Sequence, residues 1–133
     1  KLLDGNRTVS RQDLLGQFYL FGFWWSGCPS CVSQIANLEK AYEKYGDKNF
    51  TILSLSLDKD IETVVEFREK NFKMPWLNAH VRDQWQNRFT ASLMVHDVPK
   101  IFLVSPEGVI LAAGRELIGE NLEKTLSKYL RAN

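Results

Sequence analysis

Eight consecutive residues, Phe18-Tyr19-Leu20-Phe21-Gly22-Phe23-Trp24-Trp25, are aromatic or aliphatic apart from one glycine. A run of strand length that offers a polar side chain to neither face belongs inside a sheet covered on both sides. Ser26-Gly27 breaks the run, and Cys28-Pro29-Ser30-Cys31 follows at once. Pro29 suits the first turn of a helix, where its missing N–H costs nothing. Both cysteines of the chain therefore stand where a buried strand hands over to a helix.

The remaining pattern alternates. Ile35, Leu38, Tyr42 and Tyr45 recur at spacings of three and four, which predicts a helix from Pro29 to about Tyr45 with Gly46 as its stop. Phe50 to Asp58 returns to strand character, and a second helix is expected over Ile61 to Phe72 with Val64, Val65 and Phe67 inward. Met74-Pro75-Trp76 interrupts, and a shorter helix is expected near Asp83 to Thr90. Two apolar runs, Lys100 to Val104 and Val109 to Ala113, flank Ser105-Pro106-Glu107-Gly108 and read as a β-hairpin. Leu122, Leu126, Tyr129 and Leu130 stripe a closing helix. Ahead of the first strand, a short strand or helical turn is expected near Val9 to Leu15. The order β-α-β-α-(α)-β-β-α predicts an α/β fold, with a central mixed sheet and helices on both faces. One domain over residues 1–133 is expected, either alone or as the C-terminal part of a longer chain, because the sequence opens at Lys1 rather than Met.

Composition removes several classes of function. Seventeen basic residues against sixteen acidic ones leave a net charge of +1, which predicts no nucleic-acid partner and no anionic membrane surface. No apolar stretch approaches the roughly 20 residues of a membrane span. Two cysteines cannot build a disulfide framework. No metal is expected, since zinc would need two further ligands and the only histidines, His80 and His96, lie far apart. A c-type haem would need His where Val32 stands. No cofactor is expected.

What a Cys-x-x-Cys pair can do at a helix start follows from electrostatics and reach. Cys28 would sit among free backbone N–H groups at the positive end of the helix dipole, which favours a thiolate. Cys31 comes round to the same side one turn deeper, ready to displace whatever Cys28 has captured. A lower thiol pKa raises the thiolate fraction, but nucleophilicity falls with a slope of ~0.4–0.5, so acidity alone gains little. The intramolecular second thiol supplies more. A purely structural bridge over so small a loop would restrict the unfolded chain little.

These residues resemble the thioredoxin superfamily, and within it the TlpA/ResA-like (AhpC/TSA-related) extracytoplasmic thiol–disulfide oxidoreductases. Phe23-Trp24-Trp25-Ser26-Gly27-Cys28-Pro29-Ser30-Cys31 is similar to the family's strand end and active-site segment, and Val98-Pro99-Lys100-Ile101-Phe102-Leu103 to its second signature. The resemblance implies a cis Pro99, a Val98 backbone that pairs with extended substrate, and contacts to substrate from Trp25, Pro29 and Ser30. It also implies Cys28 as nucleophile, Cys31 as resolving thiol, an envelope or periplasmic location, and action as a reductant on protein disulfides. A separate redox donor is then required, and a monomer is expected.

Three positions depart from the family pattern. Gly27 stands where Trp usually precedes the first cysteine, Gly22 where thioredoxins carry a buried Asp, and Gln34 where ResA-like proteins carry Glu. With both usual proton acceptors missing, slow resolution by Cys31 is expected, with water or another carboxylate taking the proton. The missing carboxylates leave room for a non-catalytic binding module as the alternative. A peroxiredoxin-type peroxidase would require Pro and Thr where Phe21 and Trp25 stand. Of the adjacent tryptophans, Trp25 is expected at the site rim and Trp24 in the core. Trp76 and Trp85 are expected to pack inside, and His96 to lie on a loop or surface.

Overall fold

The computed structural model describes every residue except 1, 4–7, 48, 82–86, 94, 96 and 131–133, and of Phe89 the backbone alone. Its elements in chain order are α1 (Arg11–Leu14), β1 (Phe18–Trp24), α2 (Pro29–Tyr45), β2 (Phe50–Ser56), α3 (Ile61–Lys70), β3 (Leu77–His80), α4 (Arg88–Ser92), β4 (Lys100–Val104), β5 (Ile110–Ala113), a 3-10 turn (Gly114–Leu117) and α5 (Glu120–Leu130). One five-stranded sheet runs in the order β3-β2-β1-β4-β5. The β1–β2 and β2–β3 pairs are parallel, while β1–β4 and β4–β5 are antiparallel. The mixed α/β sheet is the thioredoxin fold that the resemblance implies.

β1 lies at the centre, and its alternating side chains feed two separate cores. Leu20 and Trp24 point into one, with Ile52, Ile101 and Leu103 from the neighbouring strands and Ile35, Val64, Leu122 and Leu126 from α2, α3 and α5. Tyr19, Phe21 and Phe23 point into the other, where Leu14 of α1 and Val81 and Val95 close over them. Helices do cover both faces, but unequally. The three long ones share the first core, and the second is roofed by α1 and irregular chain. The Phe21 and Phe102 rings stack there at 4.8 Å between centroids.

Several expectations need correction. Val65 is 40% exposed while Val64 is 1% exposed. Successive helical residues are turned about 100° apart, and α3 presents a stripe too narrow for both. The strand β3 was not expected. Leu77-Asn78-Ala79-His80 carries no alternation, because Asn78 is buried to bind the carbonyls of Met74 and Trp76 at 2.9 and 2.8 Å. The Leu3 N–H reaches the Asn78 carbonyl at 2.7 Å, so the leading segment covers part of this edge. The segment Val9 to Leu15 resolves as a helical turn, α1, begun by a capping box between Ser10 and Asp13. The short helix after β3 runs Arg88–Ser92, later than anticipated, and residues 83–86, Trp85 among them, lie outside the described ones. No helix among the described residues is long and apolar enough to cross a membrane.

The unequal burial on α3 and α5 gives a direct test. Leu126→Ala, at a fully enclosed position, should destabilise by about 2–5 kcal/mol, whereas Val65→Ala should stay within about 0.5 kcal/mol of the parent. Urea unfolding midpoints of the two variants would check this, and equal losses would refute the two-sided account of the helices.

Candidate active site

The site forms where β1 ends and α2 begins, at the carboxyl end of the parallel strands. Trp25, Ser26 and Gly27 make the link, closed by a bond from the Cys28 N–H to the Trp25 carbonyl at 3.2 Å. Cys28 is the N-cap of α2, and Pro29 takes the first helical position. The Cys28 sulfur accepts the Cys31 N–H at 3.2 Å, so it occupies the acceptor place that a Ser or Asp oxygen usually fills. Cys28 and Cys31 form a disulfide, with Cα atoms 5.2 Å apart. Cys28 is the more accessible of the two, at 8% against 2%.

Two further groups face that sulfur. Ser30 Oγ lies 3.4 Å from Cys28 Sγ, and the Val98 carbonyl oxygen lies 3.9 Å from it. The Val98-Pro99 peptide is cis. The geometry thus brings Cys28, Cys31, Pro29, Ser30, Val98 and Pro99 together, with Trp25 beside them. Trp24 is 5% exposed and Trp25 is 41% exposed, which separates the core tryptophan from the rim one as expected. Trp76 is buried, with its Nε1 donating to Ser54 Oγ at 2.8 Å. His96 lies outside the described residues.

Sequence reasoning missed Asp58. This residue is buried, yet every contact made by its carboxylate is with a donor. The Ser26 N–H reaches its two oxygens at 3.1 and 3.2 Å, Ser26 Oγ donates at 2.7 Å, and Ser56 Oγ donates at 2.7 Å. His80 Nε2 donates to the Asp58 carbonyl at 2.6 Å. Ser26, two places before Cys28, is therefore pinned to the chain that leaves β2. Only the parallel register, with Ser56 opposite Trp24, could have placed residue 58 beside residue 26.

Gln34 is buried and serves as a tie between elements. Its Nε2 donates to the Leu117 carbonyl at 2.9 Å, and its Oε1 accepts from Asn37 Nδ2 at 3.1 Å and the Gly119 N–H at 3.0 Å. The side chain ties α2 to the turn that starts α5, and these bonds fix which end of the amide is which. Beneath Cys31, a cavity of about 20 Å³ is left between Gly22, Trp24, Gln34, Ser54 and Pro99. That is room for about one water molecule. Trp24 Nε1, at its wall, has no hydrogen-bond partner among the described residues.

The sequence model of a thioredoxin-like family matches residues 16–110, most of the chain and the whole of this site. The chain belongs to that thioredoxin-like family. It is 25% identical over 130 residues to the thiol–disulfide oxidoreductase ResA of Bacillus cereus, a match covering 97% of this chain and 70% of that protein. The crystal structure of the thioredoxin domain of a thiol–disulfide oxidoreductase from Bacteroides vulgatus is similar, with TM-score 0.87 and 33% identity over 97% of this chain and 89% of that one. The solution structure of a thiol:disulfide interchange protein from a Bacteroides species gives TM-score 0.85 and 34% identity, covering 98% of this chain and 83% of that one. Within the thioredoxin superfamily the chain is TlpA/ResA-like, and by class it is a thiol–disulfide oxidoreductase carrying a Cys-x-x-Cys pair.

Two substitutions test the supports of the site. Gln34→Glu should cost at least about 1–3 kcal/mol, because a carboxylate would replace the donor to Leu117 and be buried against its carbonyl. Asp58→Ala strands the Ser26 N–H and two hydroxyls and should cost on the order of 3 kcal/mol. Chemical denaturation of each variant in the oxidised form is the measurement, and wild-type stability in either would contradict its assignment.

Proposed function

We propose that this thioredoxin-like domain reduces disulfides in protein substrates, within the cell envelope, and is itself re-reduced by a separate dithiol donor. The observation carrying the reading is the asymmetry of the pair. Cys28 caps the helix and faces the Val98 carbonyl, and Cys31 lies deeper, already within bonding reach. Envelope location and the reductive direction follow the TlpA/ResA resemblance and are supported by the ResA relatives. Direction is a matter of potential, and about 30 mV corresponds to ~1.4 kcal/mol.

In the proposed cycle the Cys28 thiolate attacks one sulfur of the substrate disulfide. A Cys28–substrate bond forms, the substrate S–S bond breaks, and the other substrate sulfur leaves as a thiolate. The Cys31 thiolate then attacks Cys28 Sγ, closing the intramolecular disulfide and releasing the second substrate sulfur. The substrate gains two electrons and two protons, and the dithiol pair supplies the electrons. The helix N-terminus stabilises the thiolate form of Cys28. The Val98 carbonyl, beside the cis Pro99, can accept a backbone N–H from an extended substrate segment, while Trp25, Pro29 and Ser30 line its approach. The protein acts as a monomer in this reading, and no cofactor takes part.

Insulin reduction in the presence of dithiothreitol tests it. Cys28→Ser should abolish turnover, and reduced Cys31→Ser, freed of dithiothreitol before it meets insulin, should accumulate a mixed disulfide that mass spectrometry can detect. Full turnover by Cys28→Ser would remove the assignment. Peroxide consumption with a thiol donor, and no insulin reduction, would favour the peroxidase alternative. No redox cycling of either cysteine would favour a binding module.

A further inference from the structure

The link between β1 and the redox pair holds an arrangement that its residue types alone do not announce. A Cβ built on Gly27 would lie 2.8 Å from Cη2 and 2.9 Å from Cε3 of Trp25, and closer still to Cζ3. The six-membered ring of the indole therefore lies directly on the Gly27 backbone, in the volume that any other residue would fill with its own side chain. Trp25 nonetheless remains 41% exposed. Part of the indole is seated on the chain and part reaches water, in the short link that leads into Cys28.

This seat is held from three sides. The Cys28 N–H to Trp25 carbonyl bond closes the turn around Gly27. The Asp58 carboxylate grips the N–H and hydroxyl of Ser26, between the tryptophan and the glycine. Pro29 then limits the chain where it enters α2. The backbone around the indole is thus held by bonds that do not depend on substrate, which reduces the freedom still to be lost on contact. Exposed apolar area carried on a braced link into the first cysteine is what a selective contact requires.

We propose that Trp25, seated on Gly27, is a specificity-determining residue that favours disulfides whose attacked cysteine is next to an aromatic or large aliphatic side chain. This rests on the reading of the protein as an oxidoreductase of protein disulfides and names the class of segment it prefers. Trp25 and Gly27 act as one unit, since the indole can take this position only where residue 27 has no side chain. The Val98 carbonyl faces Cys28 Sγ, and the half-exposed Trp25 lies in the link whose own carbonyl accepts the Cys28 N–H, so a segment bound at one can reach the other. An aromatic contact of this kind corresponds to about a threefold to tenfold change in rate.

The test uses three synthetic cyclic peptide disulfides that differ only in the residue next to one cysteine: Phe, Ser or Arg. The reduced protein is mixed with each, the reaction is quenched with acid, and exchange is followed by mass spectrometry. The readout is the ratio of second-order rate constants between peptides for each protein variant. The wild type should react about threefold to tenfold faster with the Phe peptide than with the Ser peptide. Trp25→Ala and Gly27→Ala should each bring the ratio near one, the second by expelling the indole from its seat. Trp25→Ala combined with Gly27→Ala should match Trp25→Ala alone, and Trp25→Phe should keep part of the preference. A merely structural role would lower all the rates without changing their ratio.

The inference is overturned by a wild-type ratio near one, by a ratio that survives Trp25→Ala or Gly27→Ala, or by fastest reaction with the Arg peptide, which would mean cation recognition instead. Wild-type exchange with bis(2-hydroxyethyl) disulfide distinguishes a lack of selectivity from a lack of activity. If that small disulfide reacts and the peptide ratio is flat, only the selectivity falls. If it does not react either, the oxidoreductase reading falls and takes the selectivity with it.

Discussion

Strand β1 has no face free for water, and that constraint organises the molecule. Its even-numbered side chains need one apolar layer and its odd-numbered ones another, so strands must pair along both edges and chain must cover both sides. A strand so enclosed can reach solvent only at its ends. The chain leaves β1 at the carboxyl edge of the parallel strands and turns straight into α2. The redox pair is placed at that exit because it is where a buried strand, a helix N-terminus and an opening to solvent coincide. The partner strand β4 runs antiparallel to β1, which carries its leading residues, Val98 and Pro99, to the same edge.

The exit is then stiffened by polar bonds rather than by packing. Asp58 holds Ser26, the Trp25 carbonyl holds Cys28, and the Cys28 sulfur holds Cys31. Each bond fixes a residue two or three places from the next. A deviation at any point would be passed to Cys28, and in the proposed cycle its attack needs sulfur, sulfur and leaving sulfur in line. The buried carboxylate at the end of β2 is therefore a positioning group, and its own contacts are with hydroxyl and amide donors.

Much of this was legible in the sequence, and the reasons for the failures are physical. The apolar run of β1, the helix after the cysteines and the hairpin around Pro106 and Gly108 each have a strong local signal, and each stands where expected. Alternation separates Trp24 from Trp25, and the rim position of Trp25 follows from its leading directly into the cysteine turn. Val65 misleads because periodicity marks a face but not its width. β3 is invisible because an edge strand tolerates Asn78 and His80, and its pairing with β2 is decided by distant residues. Gly46 does end α2, though by a different route. It stays in the right-handed helical region, where a Cβ would fall on the Tyr42 carbonyl oxygen. Asp58 and the Gln34 tie depend on which strands and helices become neighbours, and no local pattern carries that information.

The use of a sulfur to cap α2 has a consequence for how the scaffold behaves over a reaction cycle. Divalent sulfur keeps lone pairs as a thiolate, as one half of an adduct with substrate and as one half of the closed bridge. The amide of Cys31 can therefore keep its acceptor through all three bonding states. The first turn of the helix does not have to unwind and re-form each time electrons move. The catalyst idles mechanically while its chemistry runs, and the cost of reorganising the backbone drops out of every turnover.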